Sequence, residues 1–330
     1  MRNPRIACVF APGFKRGAMA VGASRCLFEN DIRPGIIAGC SAGALAAGSV
    51  AAWDEEEIER AQKIWSALSP GKISRPRWAD DLFLGSLVAG SLLHVIPPLA
   101  KGEKSRKAER VVRALLSLGM HAASIMAFLR QSSIFSNDPL YKLLTALDAE
   151  KIFASKTKMI ATAAKYGSGE RSIYTNFLQR DRSGERLLKG LMASSTIVPT
   201  FPPIEIDGEY EFDGVFAKQD FLAFDLVEKY CACDYILFFV FYWLPRAEEV
   251  GGFLSVSDHA HELMVEYRMR SILERLPQAT KDKLIIVELS EPPEKADLRR
   301  FSKYDVQDWI SEGHRTTERM LVERGWAKER

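Results

Sequence analysis

Residues 36–47 read IIAGCSAGALAA, and the fold turns on how that stretch divides. Ile36-Ile37-Ala38 is a short apolar run opening on a β-branched pair, as a buried strand does. Gly39-Cys40-Ser41-Ala42-Gly43 is a Gly-x-Ser-x-Gly turn, and Gly43 to Trp53 continues as a helix of small residues. A nucleophile elbow needs this order of strand, sharp turn and helix, because the hydroxyl must stand exposed over a helix N-terminus. Gly39 and Gly43 remove Cβ atoms where the turn is tight, Ala42, Ala44 and Ala46 let the helix sit close, and the helix N-terminus offers N–H groups that favour negative charge. The residues alone leave two readings open: Ser41 is a nucleophile, or the stretch is a glycine-rich turn without chemistry.

Working outward, RIACVF (5–10) is a second apolar run, bounded by Pro12-Gly13, and reads as a buried strand of parallel type. Gly17 to Asn30 has helical character, and Asp54 is placed to N-cap EEEIERAQKIWSAL, whose first turn is acidic. Strand, helix, strand, helix at these lengths predicts a parallel sheet with helices on its faces. Further strands are expected at 158–163, 172–177, 235–241 and 284–289, with long amphipathic helices at 256–275 and 304–324. IEIDGEYEF (204–212) alternates around Asp207-Gly208 and predicts a hairpin. No repeat or low-complexity linker divides the chain, so one domain over 1–330 is expected, with a helical apolar insertion or lid at 66–135.

Composition excludes several functions. At 330 residues, 47% hydrophobic and 27% charged, the chain has the make-up of a globular protein, and its net charge of +2 provides no overall field for nucleic acid. Its five cysteines (8, 26, 40, 231, 233) are odd in number and form no C-x-x-C, which points to reduced thiols in a cytoplasmic setting. The histidines (94, 121, 259, 261, 314) have no ligand spacing with those cysteines, so no metal is expected, and His259-x-His261 reads as two polar positions near a helix start. The apolar run Ile6 to Pro12 is too short for a signal peptide and is interrupted by Gly13, Lys15 and Arg16.

The insertion is the most apolar part. Leu82 to Ala100 carries no Asp, Glu, Lys or Arg, Leu115 to Leu129 is nearly as apolar, and 101–113 holds six Lys/Arg against two Glu. Pro97 and Pro98 stop the first run after about 22 Å of helix, short of the roughly 30 Å needed to cross a bilayer. A buried helix, a lid and a membrane-docking surface all fit. The partner expectation is peripheral membrane contact through 82–129; the basic segment reads either as a solvated helix face or as a face for anionic lipid.

A glycine turn, FAPGFKRGA (10–18), links the first strand to the first helix and can aim backbone N–H groups at Ser41, as an oxyanion hole requires. It matches neither dinucleotide nor P-loop spacing. With PGFKRG (12–17), GCSAG (39–43) and EFDGV (211–215) in this order, the chain resembles the patatin-like phospholipase family over most of its length, most thinly over 66–135. The resemblance implies a three-layer α/β/α fold with a mostly parallel sheet and a lipid acyl hydrolase that uses a Ser–Asp dyad, with no cofactor and a lipid acyl ester as substrate. Carried over by position, it makes Ser41 the nucleophile, Asp213 its base, and Gly13, Phe14 and Lys15 the oxyanion hole. Arg16, Gly17, Gly39, Ala42, Gly43 and Gly214 take supporting positions. Asp213 is preferred to Asp207, which serves the hairpin turn. Pro12 and Phe14 stand where the family's loop has glycines, and Val215 replaces a small residue. Arg16 fits either a loop-bracing ion pair or a catalytic role. Two alternatives remain: a non-catalytic lipid-binding or scaffold protein, favoured by Phe14, and a Ser-His-Asp esterase using His259, His261 or His314.

Overall fold

The computed structural model describes residues 4–13, 16–67, 75–76, 109–118, 133, 135–179, 183–198, 200–240, 253–288 and 303–328. Phe14, Lys15 and most of the expected insertion at 66–135, including Leu82 to Ala100, lie outside the described residues.

The strands are β1 (Ile6–Phe10), β2 (Ile36–Cys40), β3 (Arg75–Pro76), β4 (Phe135–Ser136), β5 (Lys158–Lys165), β6 (Arg171–Thr175), β7 (Ile204–Ile206), β8 (Glu209–Asp213), β9 (Tyr235–Val240) and β10 (Leu284–Glu288). The helices with described ends are α1 (Gly17–Glu29), α2 (Ala42–Val50), α3 (Glu55–Ser66), α4 (Asp138–Leu144), α5 (Ala149–Ala154), α6 (Gly184–Ser194), α7 (Phe224–Tyr230), α8 (Phe253–Arg275), α9 (Gln278–Lys281) and α10 (Lys303–Glu323), and residues 109–118 are also helical. β3 and β4 form a separate two-stranded ribbon; the remaining strands form one eight-stranded sheet.

Its order is β10-β9-β1-β2-β5, all parallel, followed by β8 and β7, with β6 also on β5; the last three pair antiparallel. Every residue of β1 and β2 is buried, as expected of central parallel strands with helices on both faces. The expected N-cap is present: the Asp54 carboxylate accepts from Glu57 N–H at 2.8 Å. α2 stops at Val50, short of the expected Trp53, which adopts φ 53°. Asp207 (φ 53°) and Gly208 (φ 81°) make the hairpin turn between β7 and β8. Positive φ at both central residues is the type I′ signature.

The register at β5 places the site. Ala163 pairs with Ser172 of β6 and with Asp213 of β8, so β6 and β8 lie on opposite edges of β5. The edge taken by β8 is the one that β2 leaves after Cys40 pairs with Thr162. β2 and β8 therefore run toward each other along one edge of β5, and their C-terminal ends, Cys40 and Asp213, meet there.

Helices α1 and α10 cross in close contact. A Cβ on Gly22 would stand 1.8 Å from the Ile310 carbonyl oxygen, and one on Gly313 would stand 2.1 Å from that of Met19. No described helix is long and apolar enough to cross a membrane. Gly22→Ala improves intrinsic helix propensity by about 0.5–1 kcal/mol, but the expected net effect is a loss of about 1–3 kcal/mol from overpacking. Denaturant melts of both proteins measure it, and a more stable variant would contradict the packing described.

Candidate active site

Ser41 sits between β2 and α2 at φ 56° and ψ −129°. For a residue with a Cβ this backbone costs on the order of 1–3 kcal/mol, so the surroundings must hold it in place. Three features do so. A Cβ on Gly39 would stand 2.3 Å from the Gly43 carbonyl oxygen, and one on Gly43 would stand 2.3 Å from that of Phe10, so both flanking positions are glycines because backbone occupies the space. Ser41 N–H donates to Ser194 Oγ at 2.9 Å, tying the turn to the end of α6. Ser41 C=O accepts from Ala44 and Leu45 N–H, which starts α2. Ser41 keeps 6% exposure.

Asp213 arrives at the same place from β8 and is fully buried. Its N–H donates to the Thr196 carbonyl at 2.9 Å. Oδ1 accepts from Val215 N–H at 3.0 Å and lies 3.8 Å from Cys40 Sγ. Oδ2 is buried and has no hydrogen-bond partner among the described residues. Burial raises the carboxyl pKa to about 7; the Val215 N–H, the Ser41 hydroxyl and the Cys40 thiol pull the other way. Gly214 is held by the same crossing: its Cβ would stand 2.4 Å from the Thr162 carbonyl oxygen and 2.8 Å from Cys40 Sγ.

The upstream loop straddles this turn. The Ala11 carbonyl oxygen lies 2.7 Å from where a Gly43 Cβ would be, and a Gly17 Cβ would stand 2.8 Å from the Ala42 carbonyl oxygen. Both ends of the segment that carries Gly13 are thus packed on the start of α2. Gly13 accepts from Arg16 N–H at 3.0 Å. Arg16 is buried, and its guanidinium pairs with Glu262 of α8 at 3.3 Å, so the loop-bracing ion pair is present. Burial lowers the Arg16 pKa and Glu262 opposes that shift.

The structure thus brings Gly17, Gly39, Ser41, Ala42, Gly43, Asp213 and Gly214 together. The other Asp-Gly pair stays apart, with Asp207 ion-paired to Arg186 in the exposed hairpin. Two histidine side chains are described, and each has a contact of its own. His314 is 2.8 Å from Glu29, and His261 rests against the Phe216 ring with centroids 5.5 Å apart. The His259 side chain lies outside the described residues. Among the described residues no group of three or more His, Cys, Asp or Glu assembles that could hold a metal.

Sequence reasoning missed Ser194, Thr196, Glu262 and Arg268. Arg268, on α8, donates to the carbonyls of Val215 and Ala217 and lies 5.2 Å over the Phe221 ring. It therefore clamps the turn whose Val215 N–H holds Asp213. None of the four carries a local signal, because each acts from an element distant in sequence.

The match to the patatin-like phospholipase family model runs over residues 9–222, well over half of the chain. The chain belongs to the patatin-like phospholipase family. No curated protein sequence matches it. Among solved structures it is similar to VipD from Legionella pneumophila, at 12% identity and TM-score 0.42, over 98% of this chain and 67% of that one. It is also similar to the type III effector ExoU, at 14% identity and TM-score 0.41, over 98% of this chain and 53% of that one. ExoU in complex with SpcU, from the type III secretion system of Pseudomonas aeruginosa, matches at 15% identity and TM-score 0.37, over 98% and 53%. The chain thus spans about two thirds of VipD and about half of ExoU.

A carboxyl whose folded pKa lies above its value near 3.8 keeps, in the folded state, a proton that the unfolded chain has released. Its stabilising contribution is complete below about pH 4 and is lost as pH rises through about 7. Asp213→Asn removes the buried charge, so its stability relative to wild type is expected to improve between pH 5 and pH 8. Thermal melts at the two pH values check this; a difference that does not change with pH contradicts the raised pKa.

Proposed function

We propose that the protein is a serine lipid acyl hydrolase that cleaves fatty acyl esters with Ser41 as nucleophile and Asp213 as base. The observation that carries this reading is a strained, held serine beside a buried aspartate whose pKa lies near 7 and whose Oδ2 is unpartnered among the described residues. An ordinary aspartate near pKa 3.9 is a weak base for a hydroxyl, and one near 7 is matched to neutral pH.

In this mechanism Ser41 Oγ attacks the acyl carbonyl carbon as its proton passes to Asp213. The carbonyl oxygen becomes the oxyanion and is held by the N–H groups of Gly13 and Phe14, with Lys15 or Ala42 as further donors. Asp213 returns the proton to the departing alkoxide, leaving an acyl ester on Ser41. Asp213 then takes a proton from water, the resulting attack releases the fatty acid, and the proton goes back to Ser41 Oγ. Arg16 and Glu262 brace the loop, and Gly17, Gly39, Gly43 and Gly214 admit the close backbone approaches. The lipid substrate reaches the site from a membrane surface, through peripheral contact by the 82–129 region, in a protein placed on the cytoplasmic side.

A fluorophosphonate probe is expected to label wild type and fail to label Ser41→Ala. No labelling of either favours a non-catalytic lipid-binding protein on this fold. With a soluble ester, kcat/KM is expected to rise with pH through a midpoint near 7 as Asp213 ionises. Asp213→Asn should lower it by about 10²–10⁴-fold. Full activity in Asp213→Asn, with loss in a histidine variant, would instead favour the Ser-His-Asp arrangement.

A further inference from the structure

Residues 109–118, ERVVRALLSL, form a helix whose faces are reversed. Glu109, Arg113 and Ser117 recur every fourth residue and so form one stripe. That polar stripe is turned inward: Ser117 is 4% exposed, and Glu109 and Arg113, with side chains 19% and 15% exposed, pair with each other at 2.5 Å. Val111, Val112, Leu115, Leu116 and Leu118 are 53–69% exposed. At 100° per residue those five occupy one continuous arc of roughly 160°, opposite the polar stripe. A surface helix of a soluble protein normally places its apolar arc against the core. Five large apolar side chains grouped toward solvent mark a surface that something covers.

The flanking charge selects the occupant. Residues 101–113 carry six Lys/Arg and two Glu, and Arg110 is exposed on the helix itself. A second copy of the chain would bring the same positive charge to the contact, whereas an anionic lipid surface offers both an apolar layer and the opposite charge. An apolar arc beside the exposed Arg110 suits a helix lying in the bilayer interface. We propose that helix 109–118 is the element that seats the protein on an anionic lipid surface, with Val111, Val112, Leu115, Leu116 and Leu118 at the acyl boundary and Arg110 among the headgroups. The choice of lipid rests on the reading of Ser41 and Asp213 as a lipid acyl hydrolase, to which this adds the docking element and the sign of the surface.

Sedimentation with vesicles tests it in a Ser41→Ala background, so that binding is read without hydrolysis. The full chain is expected to pellet with phosphatidylcholine vesicles containing phosphatidylglycerol. It should bind pure phosphatidylcholine at least tenfold less and lose the preference at high salt. Leu115→Asp/Leu116→Asp, at two exposed positions, should weaken binding at least tenfold. On the wild-type Ser41 background the same pair should leave hydrolysis of a soluble short-chain ester unchanged. Equal vesicle binding by the variant and its parent overturns the proposal, as does no binding by the parent. A concentration-dependent dimer that the double substitution dissolves assigns the face to a second copy, and overturns it too. Vesicle binding without any ester hydrolysis would uphold the docking surface while the hydrolase reading failed.

Discussion

The site depends on two strand ends sharing one edge of β5. β2 pairs along Lys158 to Thr162 and stops; β8 takes the same edge from Ala163 onward in the opposite direction. Each strand must turn where the other ends, and the two turns bring Ser41, after β2, beside Asp213, at the end of β8. Backbone fills the space on both sides, so glycine is required at 39, 43 and 214 for want of room. A shift of register by one residue in either strand would move every side chain to the other face, and the two turns would no longer meet.

This packing also sets the chemistry. A carboxylate with full access to water, or one with several N–H donors, would have a low pKa and would hold a serine proton poorly. Asp213 has one backbone donor, on Val215, with the Ser41 hydroxyl and a weak thiol as its other polar neighbours, and burial outweighs all three. The cost of burying that charge appears as basicity. Asp213 thereby reduces stability at neutral pH, and the same basicity is what the proposed proton transfer from Ser41 requires. The Ser41 backbone carries a second local cost, offset by its ties to Ser194 and to the first turn of α2.

Much of this was legible in the sequence. β1, β2 and β9 announce themselves as short, continuous apolar runs, because strands buried on both faces need no polar alternation. Asp207-Gly208 announces a hairpin because only certain residues accept two successive positive φ values, and that assignment left Asp213 as the carboxylate of interest. Helix α6, with Ser194 at its end, was not anticipated, and neither was the antiparallel pairing of β6 and β8 with β5, because β8's place in line with β2 follows from register and not from composition. Arg268 and Glu262 were invisible for a similar reason: α8 reads as an amphipathic helix, and nothing local states which loop its charged residues will reach.

The proposed chemistry requires that Asp213 titrate near neutrality beside Ser41. Carbon-13 NMR of carboxyl-labelled aspartate, assigned by comparison with Asp213→Asn, titrates that group directly. The structure predicts a midpoint near pH 7. A midpoint near 4, the ordinary range for aspartate, would contradict the account, because Asp213 would then be a fixed charge with little basicity and could not take the Ser41 proton as described.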